Sequence, residues 1–191
     1  PRQFRDSVPI DHYRLSNHPF RPITGNRNPS DSIPTPAIKK LPELNFLYIK
    51  NHGVINGTFL TTALPSFDRF KKKIHQNELQ DITFNSASIY PFRPLSFDDD
   101  QAVNLVGAVV KQTSRATEGL NSFTIPEGKY AIFNHYGSYD YIAQTWNQIC
   151  MNWYPKSGKA LRDAPPLEIH LGTDDSESSL ELVAHVMIPI H

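Results

Sequence analysis

One glutamate stands out when the sequence is searched for residues that could do chemistry. Glu168 lies between Leu167 and Ile169, in a short run of β-forming composition. A carboxylate that is partly buried beside aromatic rings attracts a cation that can lose its water shell. Glutamate is more commonly a solvent-facing strand residue, however. On position and composition alone, the solvent-facing interpretation is favoured.

Aromatic side chains that could line a cavity around such a group are numerous. Trp146 and Trp153 fall on one apolar helical stripe, and aromatic residues in that position usually belong to the core. Other aromatic residues lie in strands or at strand ends, and these are better pocket candidates. They include Tyr48, Tyr90 and Tyr136.

Metal, nucleophile and phosphate chemistry find little support in the sequence. Eight histidines are present, but no pair has helical ligand spacing and no His-Cys cluster occurs. A Gly-x-Ser-x-Gly elbow is absent, and Ser157-Gly158-Lys159 lacks the flanking residues of a phosphate loop. We therefore expect no metal, no cofactor and no catalytic residues.

Charge, hydropathy and cysteine content limit the partners and the compartment. The 191 residues carry 19 Lys and Arg against 19 Asp and Glu, whereas a duplex-binding module usually has a basic excess. No run approaches the roughly 18 apolar residues of a spanning helix, and the N-terminus lacks a signal-peptide pattern. The single cysteine, Cys150, suits a reducing compartment. We expect a cytoplasmic protein that makes no membrane contact and binds no DNA by itself.

An internal repeat indicates which elements must position these residues. The segment 41–53 aligns without gaps with the segment 125–137, at an offset of 84 residues from Pro42 to Pro126. In each copy, Pro-Glu is followed by a β-rich run, a glycine and a segment of helical spacing. Two more β-like stretches follow in each copy, so the repeating unit is β-α-β-β. These stretches are 82–90 and 104–111 in the first copy, and 167–171 and 181–190 in the second.

The repeat predicts an α+β fold with antiparallel sheets and with helices on one face. Repeat one covers about residues 37–115 and repeat two about residues 121–191, and a crevice between the repeats is the natural ligand site. In the first copy, Pro65 predicts a kink or a late start of the helix. In the second copy, an apolar stripe predicts an amphipathic helix through Ile142, Trp146, Ile149, Cys150 and Trp153.

Residues 1–36 differ in composition from the rest. Seven of the sixteen prolines fall there, among Asn, Ser and Arg residues, so we expect a surface linker and no central strand or helix. The chain does not begin with methionine, and we expect a further segment before Pro1.

An ordered series of short motifs runs through the second copy. After the strand and its glycine come Trp153-Tyr154-Pro155-Lys156-Ser157-Gly158, Pro165-Pro166-Leu167-Glu168-Ile169-His170 and a closing Ile188-Pro189-Ile190. This series resembles the GyrI-like effector-binding domain, the family that includes the C-terminal domains of the regulators Rob and BmrR. The resemblance covers about residues 37–191, closely in the second half and loosely in the first. In addition, Pro1-Arg2-Gln3-Phe4-Arg5 resembles the end of an AraC-type helix-turn-helix domain.

The resemblance implies a pocket between the repeats that is lined by aromatic residues, floored by a carboxylate, and open to amphipathic, often cationic, small molecules. The family's pocket glutamate lies in a Glu-x-Tyr pattern, which Glu168 matches except that His170 replaces the tyrosine. A histidine can titrate near neutral pH and would then oppose a cationic ligand. With the resemblance, Glu168 is assigned to the pocket. The expected ligand-binding residues are Tyr48, Tyr90, Phe92, Tyr136, Trp146, Glu168 and His170.

These observations predict the small-molecule effector-binding domain of an AraC-type bacterial transcription regulator, which reaches DNA only through a domain outside this chain. A homodimer is compatible with the sequence. Two alternatives stay open. One is a GyrI-like hydrolase of a reactive small molecule, with Glu168 as general base beside a tyrosine. The other is a gyrase-inhibitor-like module that binds a protein partner.

Overall fold

The computed structural model of the chain describes residues 35–53, 60–90, 103–111, 117–171 and 182–191. The expectations for residues 1–34 and for Phe92 lie outside these ranges. Within them, no helix is both long enough and apolar enough to cross a lipid bilayer.

The described residues form eight strands. The four stretches predicted to follow the helices are all strands, with ends that differ by at most one residue from the predicted ones. The strands are β1 (Ala37–Leu41), β2 (Leu44–His52), β3 (Thr83–Ile89), β4 (Val103–Val110), β5 (Asn121–Ile125), β6 (Gly128–Tyr136), β7 (Leu167–His170) and β8 (Leu182–Ile190).

Each half contributes one helical segment. In the first half, α1 (Leu60–Gln76) continues through Pro65, which is exposed. In the second half, α2 (Ile142–Asn147) passes into a π-helix (Gln148–Trp153) and then into α3 (Tyr154–Ser157). Short 3₁₀ turns cover Gln80–Ile82 and Tyr139–Tyr141. All five residues of the predicted apolar stripe are buried, which confirms the amphipathic interpretation.

All eight strands pair in one antiparallel sheet, in the order β1-β6-β8-β7-β3-β4-β2-β5. The order reads as two matching series that start from the central pair: β3, β4, β2, β5 on one side and β7, β8, β6, β1 on the other. Thus β2 and β6 hold equivalent places, and they begin at Leu44 and Gly128, which are 84 residues apart as the repeat predicts. The halves also exchange their first strands, because β1 pairs with β6 and β5 pairs with β2.

The sheet separates two regions of core. On one face, Leu47 packs with α1 residues such as Phe70, and Phe133 packs with Trp146 and other residues of 142–157. On the opposite face, a single cluster joins residues from both ends of the sheet, including Phe46 and Tyr130. The sheet therefore curls toward the face that lies away from the helices, and the fold is α+β as predicted.

Candidate functional site

Glu168 lies on β7 at the middle of the sheet, where the two halves meet. It pairs with Ser88 of β3 on one side and with Val186 of β8 on the other. Leu167 and Ile169 belong to the core on the face away from the helices, so strand alternation turns Glu168 toward the helices. Glu168 is only 3% exposed. The solvent-facing interpretation is therefore wrong, because the helical segments cover this face.

Two donors hold one oxygen of the Glu168 carboxylate. The Tyr90 hydroxyl donates to Oε1 at 2.8 Å, and the Trp146 indole Nε1 donates to the same oxygen at 2.5 Å. The rings of Tyr90 and Trp146 meet edge to face, with 5.3 Å between their centroids. Tyr90 follows β3 in the first half and Trp146 lies on α2 in the second, so residues of both halves fix this oxygen.

The other oxygen, Oε2, faces His170. Its distance to His170 Nε2 is 3.8 Å, which is too long for a hydrogen bond. His170 in turn contacts aromatic residues of both halves. Its ring meets that of Phe67 on α1 edge to face at 5.4 Å, and that of Tyr139 at 5.1 Å. The side of the carboxylate that bears Oε2 is therefore walled by aromatic rings.

Burial shifts the pKa values of Glu168, Tyr90 and His170. It raises the pKa of Glu168 to about 7, although the hydrogen bonds from Trp146 and Tyr90 act in the opposite direction. Burial and the nearby Glu168 charge raise the pKa of Tyr90 well above 10.0. The hydroxyl of Tyr90 thus stays protonated and acts as a donor at neutral pH.

His170 is neutral at physiological pH. Burial lowers its pKa to about 4, and the charge of His135 acts in the same direction. The expectation that this histidine titrates near neutral pH and opposes a cationic ligand is therefore wrong, because the side chains packed around the ring oppose its protonation.

The pairing register makes Ser88 the counterpart of Glu168 in the other half. Ser88 pairs with Val106, which pairs with Ile49 of β2. In the second half, Glu168 pairs with Val186, which pairs with Phe133 of β6, 84 residues after Ile49. Ser88 and Glu168 also pair directly with each other. The pseudo-twofold axis therefore passes between a hydroxyl and a carboxylate.

Two residues further along each strand, Tyr90 and His170 are counterparts in the same way. Each of them packs against an aromatic residue of the opposite helical segment: Tyr90 against Trp146 of the second half and His170 against Phe67 of the first. The ring contacts on the two sides of the site are thus related by the pseudo-twofold axis, whereas the residues that make them differ in chemistry.

The structure brings four of the expected residues together and places two elsewhere. Glu168, Tyr90, Trp146 and His170 form the cluster. Tyr48 is 8% exposed and packs edge to face on Phe123, on the sheet face away from the helices. Tyr136 is 51% exposed and accepts a hydrogen bond from Asn134. Neither contacts Glu168, because strand alternation turns both away from it.

Three residues of this cluster were not anticipated from the sequence. Phe67 lies on α1, two residues after Pro65, and the sequence motifs assigned no role to it. Ser88, with its Oγ 3.3 Å from His170 Nε2, is identified only by the register. His135 is buried beside Thr145, which contacts its Nδ1 at 2.8 Å, and occupies the place of Asn51 in the repeat. Ala131 and Phe133, at alternate positions before His135 in β6, are apolar and could have signalled a buried polar residue.

The cluster offers a single buried carboxylate, and the ranges that the structure describes hold no group of three or more potential metal ligands. No lysine or arginine in those ranges forms an ion pair with Glu168. Such a carboxylate between aromatic rings is suited to an external cation.

Comparison with known proteins places this fold and site in context. The family model described as "GyrI-like small molecule binding domain" matches residues 34–191. The chain is 26% identical over 87 residues to the "Probable transcriptional regulator YgiV" of Escherichia coli O157:H7, a match that spans 46% of this chain and 54% of that relative.

Two solved structures share the fold. The crystal structure of the EcmrR C-terminal domain has a TM-score of 0.66 at 14% identity, over 84% of this chain and 99% of that one. The structure of SAV2435 bound to tetraphenylphosphonium has a TM-score of 0.60 at 13% identity, over 82% of this chain and 93% of that one.

Proposed function

Since the chain belongs to the GyrI-like small molecule binding domain family, we propose that it binds an amphipathic cation over Glu168, as the effector-binding domain of an AraC-type transcription regulator. DNA would be contacted through a domain outside this chain. The balance of 19 basic and 19 acidic residues supports that division of labour.

The observation that carries this proposal is the environment of the Glu168 carboxylate. One oxygen is held by Tyr90 and Trp146, and the other faces His170 at 3.8 Å, with no lysine or arginine partner among the residues that the structure describes. An unpaired buried carboxylate destabilises a fold, and a cationic ligand would supply the missing charge. The relative solved with tetraphenylphosphonium, an aromatic cation, supports this ligand class.

The expected contribution of the charge can be bounded. Two unit charges 4 Å apart attract by roughly 4 kcal/mol at an effective dielectric constant of about 20. Desolvation of the carboxylate removes much of this attraction. A net contribution of about 1.4 kcal/mol or more remains, which corresponds to about tenfold in affinity.

Fluorescence titration of the chain tests the proposal, because Trp146 lies in the site. Tetraphenylphosphonium serves as the cation, and triphenylphosphine oxide as a neutral aromatic ligand of related shape. We expect Glu168→Gln to lower the affinity for the cation by about tenfold or more and to change the affinity for the oxide little. Tyr136→Phe, on the opposite face, is the control variant, and circular dichroism checks folding. Equal losses of affinity for both ligands would show that Glu168 affects the shape of the site and does not select for charge. Failure of the wild-type protein to bind the cation would refute the proposal.

A hydrolase is the second candidate, since a carboxyl group with a pKa of about 7 suits general acid-base chemistry. The neutral Tyr90 hydroxyl beside it acts as a donor to Glu168 and is a poor nucleophile in that state. Consumption of a bound activated ester that stops in Glu168→Gln would favour this candidate over simple binding.

A further inference from the structure

Glu168 and His170 present two acceptor atoms to the same space. Oε1 of Glu168 is engaged by two donors, so Oε2 is the oxygen available to a ligand, and it lies 3.8 Å from His170 Nε2. The polar neighbour of Nε2 is Ser88 Oγ at 3.3 Å, a long contact that leaves the nitrogen accessible to a better donor. A nitrogen that carries two hydrogens fits between acceptors at this separation, at ordinary hydrogen-bond lengths of about 2.8–3.0 Å.

His170 can act as an acceptor because its ring is neutral. Burial lowers its pKa to about 4, so one ring nitrogen carries no hydrogen at neutral pH. A cationic N–H group beside Nε2 favours the tautomer in which the hydrogen lies on Nδ1. The tyrosine found in the family's pattern would place a hydroxyl group at this position, so the histidine changes the hydrogen bonding that a ligand meets.

The side of the cluster at His170 is also the more accessible one. The His170 side chain is 15% exposed, compared with 4% for that of Glu168. The partly exposed rings of Phe67 and Tyr139 flank it. A ligand entering here would reach His170 and Oε2 of Glu168 together, with its apolar substituents against the two rings.

We propose that this site selects primary and secondary ammonium groups over quaternary ammonium and phosphonium groups, with Glu168 Oε2 and His170 Nε2 each accepting one N–H hydrogen bond. The inference rests on the proposed function and names its ligand class. A quaternary cation keeps the charge and the aromatic contacts but has no N–H group, so both acceptors lose a partner. A crevice of aromatic rings and charge alone would favour the quaternary cation, which is the easier of the two to dehydrate.

The test compares two ligands that differ only at nitrogen: 2,2-diphenylethylammonium and its N,N,N-trimethyl derivative. Both are titrated calorimetrically at pH 8 against the full chain. We expect the wild-type protein to bind the primary amine about tenfold more tightly. His170→Phe, which keeps a ring against Phe67 and Tyr139, should abolish this preference. Its affinity for the trimethyl compound should stay within about twofold of the wild-type value. His170→Gln, which restores an acceptor, should recover part of it. His185→Phe, on the face away from the helices, is the matched control.

Equal wild-type affinity for the two compounds would overturn the inference and leave the proposed function standing. Preference for the primary amine that survives in His170→Phe would also overturn it. Failure of the wild-type protein to bind either compound would refute the proposed function and this inference together. Where His170→Phe does not fold, the wild-type comparison still tests the preference, and His170→Gln tests the part of the histidine.

Discussion

The surroundings of Glu168 oppose its charge, so the proposed cation binding should depend on pH. The proposed cation would bind the ionised carboxylate, and burial raises the pKa of that carboxyl to about 7. The apparent affinity for tetraphenylphosphonium, whose charge is independent of pH, should therefore fall about five- to tenfold from pH 8 to pH 6. Tyr90 and His170 stay neutral throughout this range.

Fluorescence titrations at several pH values check this expectation. In Glu168→Gln the profile should be flat. A wild-type affinity that does not change between pH 6 and pH 8 would mean that the ligand does not sense the carboxylate.

The same shift makes stability depend on pH, with a sign opposite to that of most carboxylates. The pKa of Glu168 rises from 4.5 to about 7 on folding, so the folded state holds this proton more tightly. The free energy of unfolding therefore falls as pH rises between these two values. Relative to wild type, Glu168→Gln should gain about 2 kcal/mol between pH 5.5 and pH 8.

Urea denaturation at both pH values measures this difference. Glu127→Gln, at an exposed glutamate paired with Lys40, is the control and should show no such gain. The same difference for both variants would contradict the assignment of the pH effect to Glu168.

At the residue scale, the sequence indicated the centre of the site but not all of its walls. Glu168 could be assigned to a pocket only through the resemblance, because composition alone favours the surface. Tyr48 and Tyr90 look alike in sequence, yet strand alternation places them on opposite faces. That distinction requires knowing which face of β2 and β3 the helices cover, which a single sequence does not contain.

At the scale of the elements, β4 packs closely against β2 at Gly107, which leaves no space for a larger side chain. Gly107 pairs with Tyr48 on one side and Ala87 on the other, and a Cβ added there would lie 2.0 Å from the carbonyl oxygen of Leu47. Because that neighbour is backbone, β2 and β4 would have to separate. Gly107→Ala should therefore lower the free energy of unfolding by about 3 kcal/mol or more. Chemical denaturation measures the loss.

Gly158→Ala is the comparison, because a Cβ at Gly158 would meet nothing within 4 Å and only its positive φ of 63° opposes the change. We expect this variant to lose about 1 kcal/mol, the cost of the left-handed conformation. A Gly107→Ala variant no less stable than Gly158→Ala would contradict the close approach of β2 and β4.

Element positions were largely predictable because hydrophobic spacing is local information. This spacing predicted the positions of four strands, β3, β4, β7 and β8. It also predicted the apolar stripe from Ile142 to Trp153. The exchange of β1 and β5 between the halves could not be predicted from hydrophobic spacing. β1 is separated from β2 by two residues, yet it pairs with β6, and such non-local pairing leaves no mark in local spacing.

Across the whole molecule, the site takes Phe67 from the first half and Trp146 from the second. A ligand in the crevice should therefore stabilise both helical segments. Hydrogen exchange should slow in α1 and in 142–157 together when tetraphenylphosphonium is added. Glu168→Gln, at the same ligand concentration, should show much less protection. Slower exchange confined to one segment would mean that the ligand does not bridge the halves.

The duplicated plan at this scale was predictable from the 84-residue offset, and a ligand site where the halves meet stays a prediction. The union of the halves in one continuous sheet was not predictable, because it depends on the pairing of Ser88 with Glu168 across the centre.

That central pairing also bears on how such a site can arise. In a dimer of identical copies, the two positions beside an exact twofold axis must hold the same residue. Two glutamates there would repel each other, and two serines would carry no charge. With both copies in a single gene, each position can mutate separately. One half can then carry the charge while the other stays neutral, so the two sides of the candidate site can differ in chemistry within one chain.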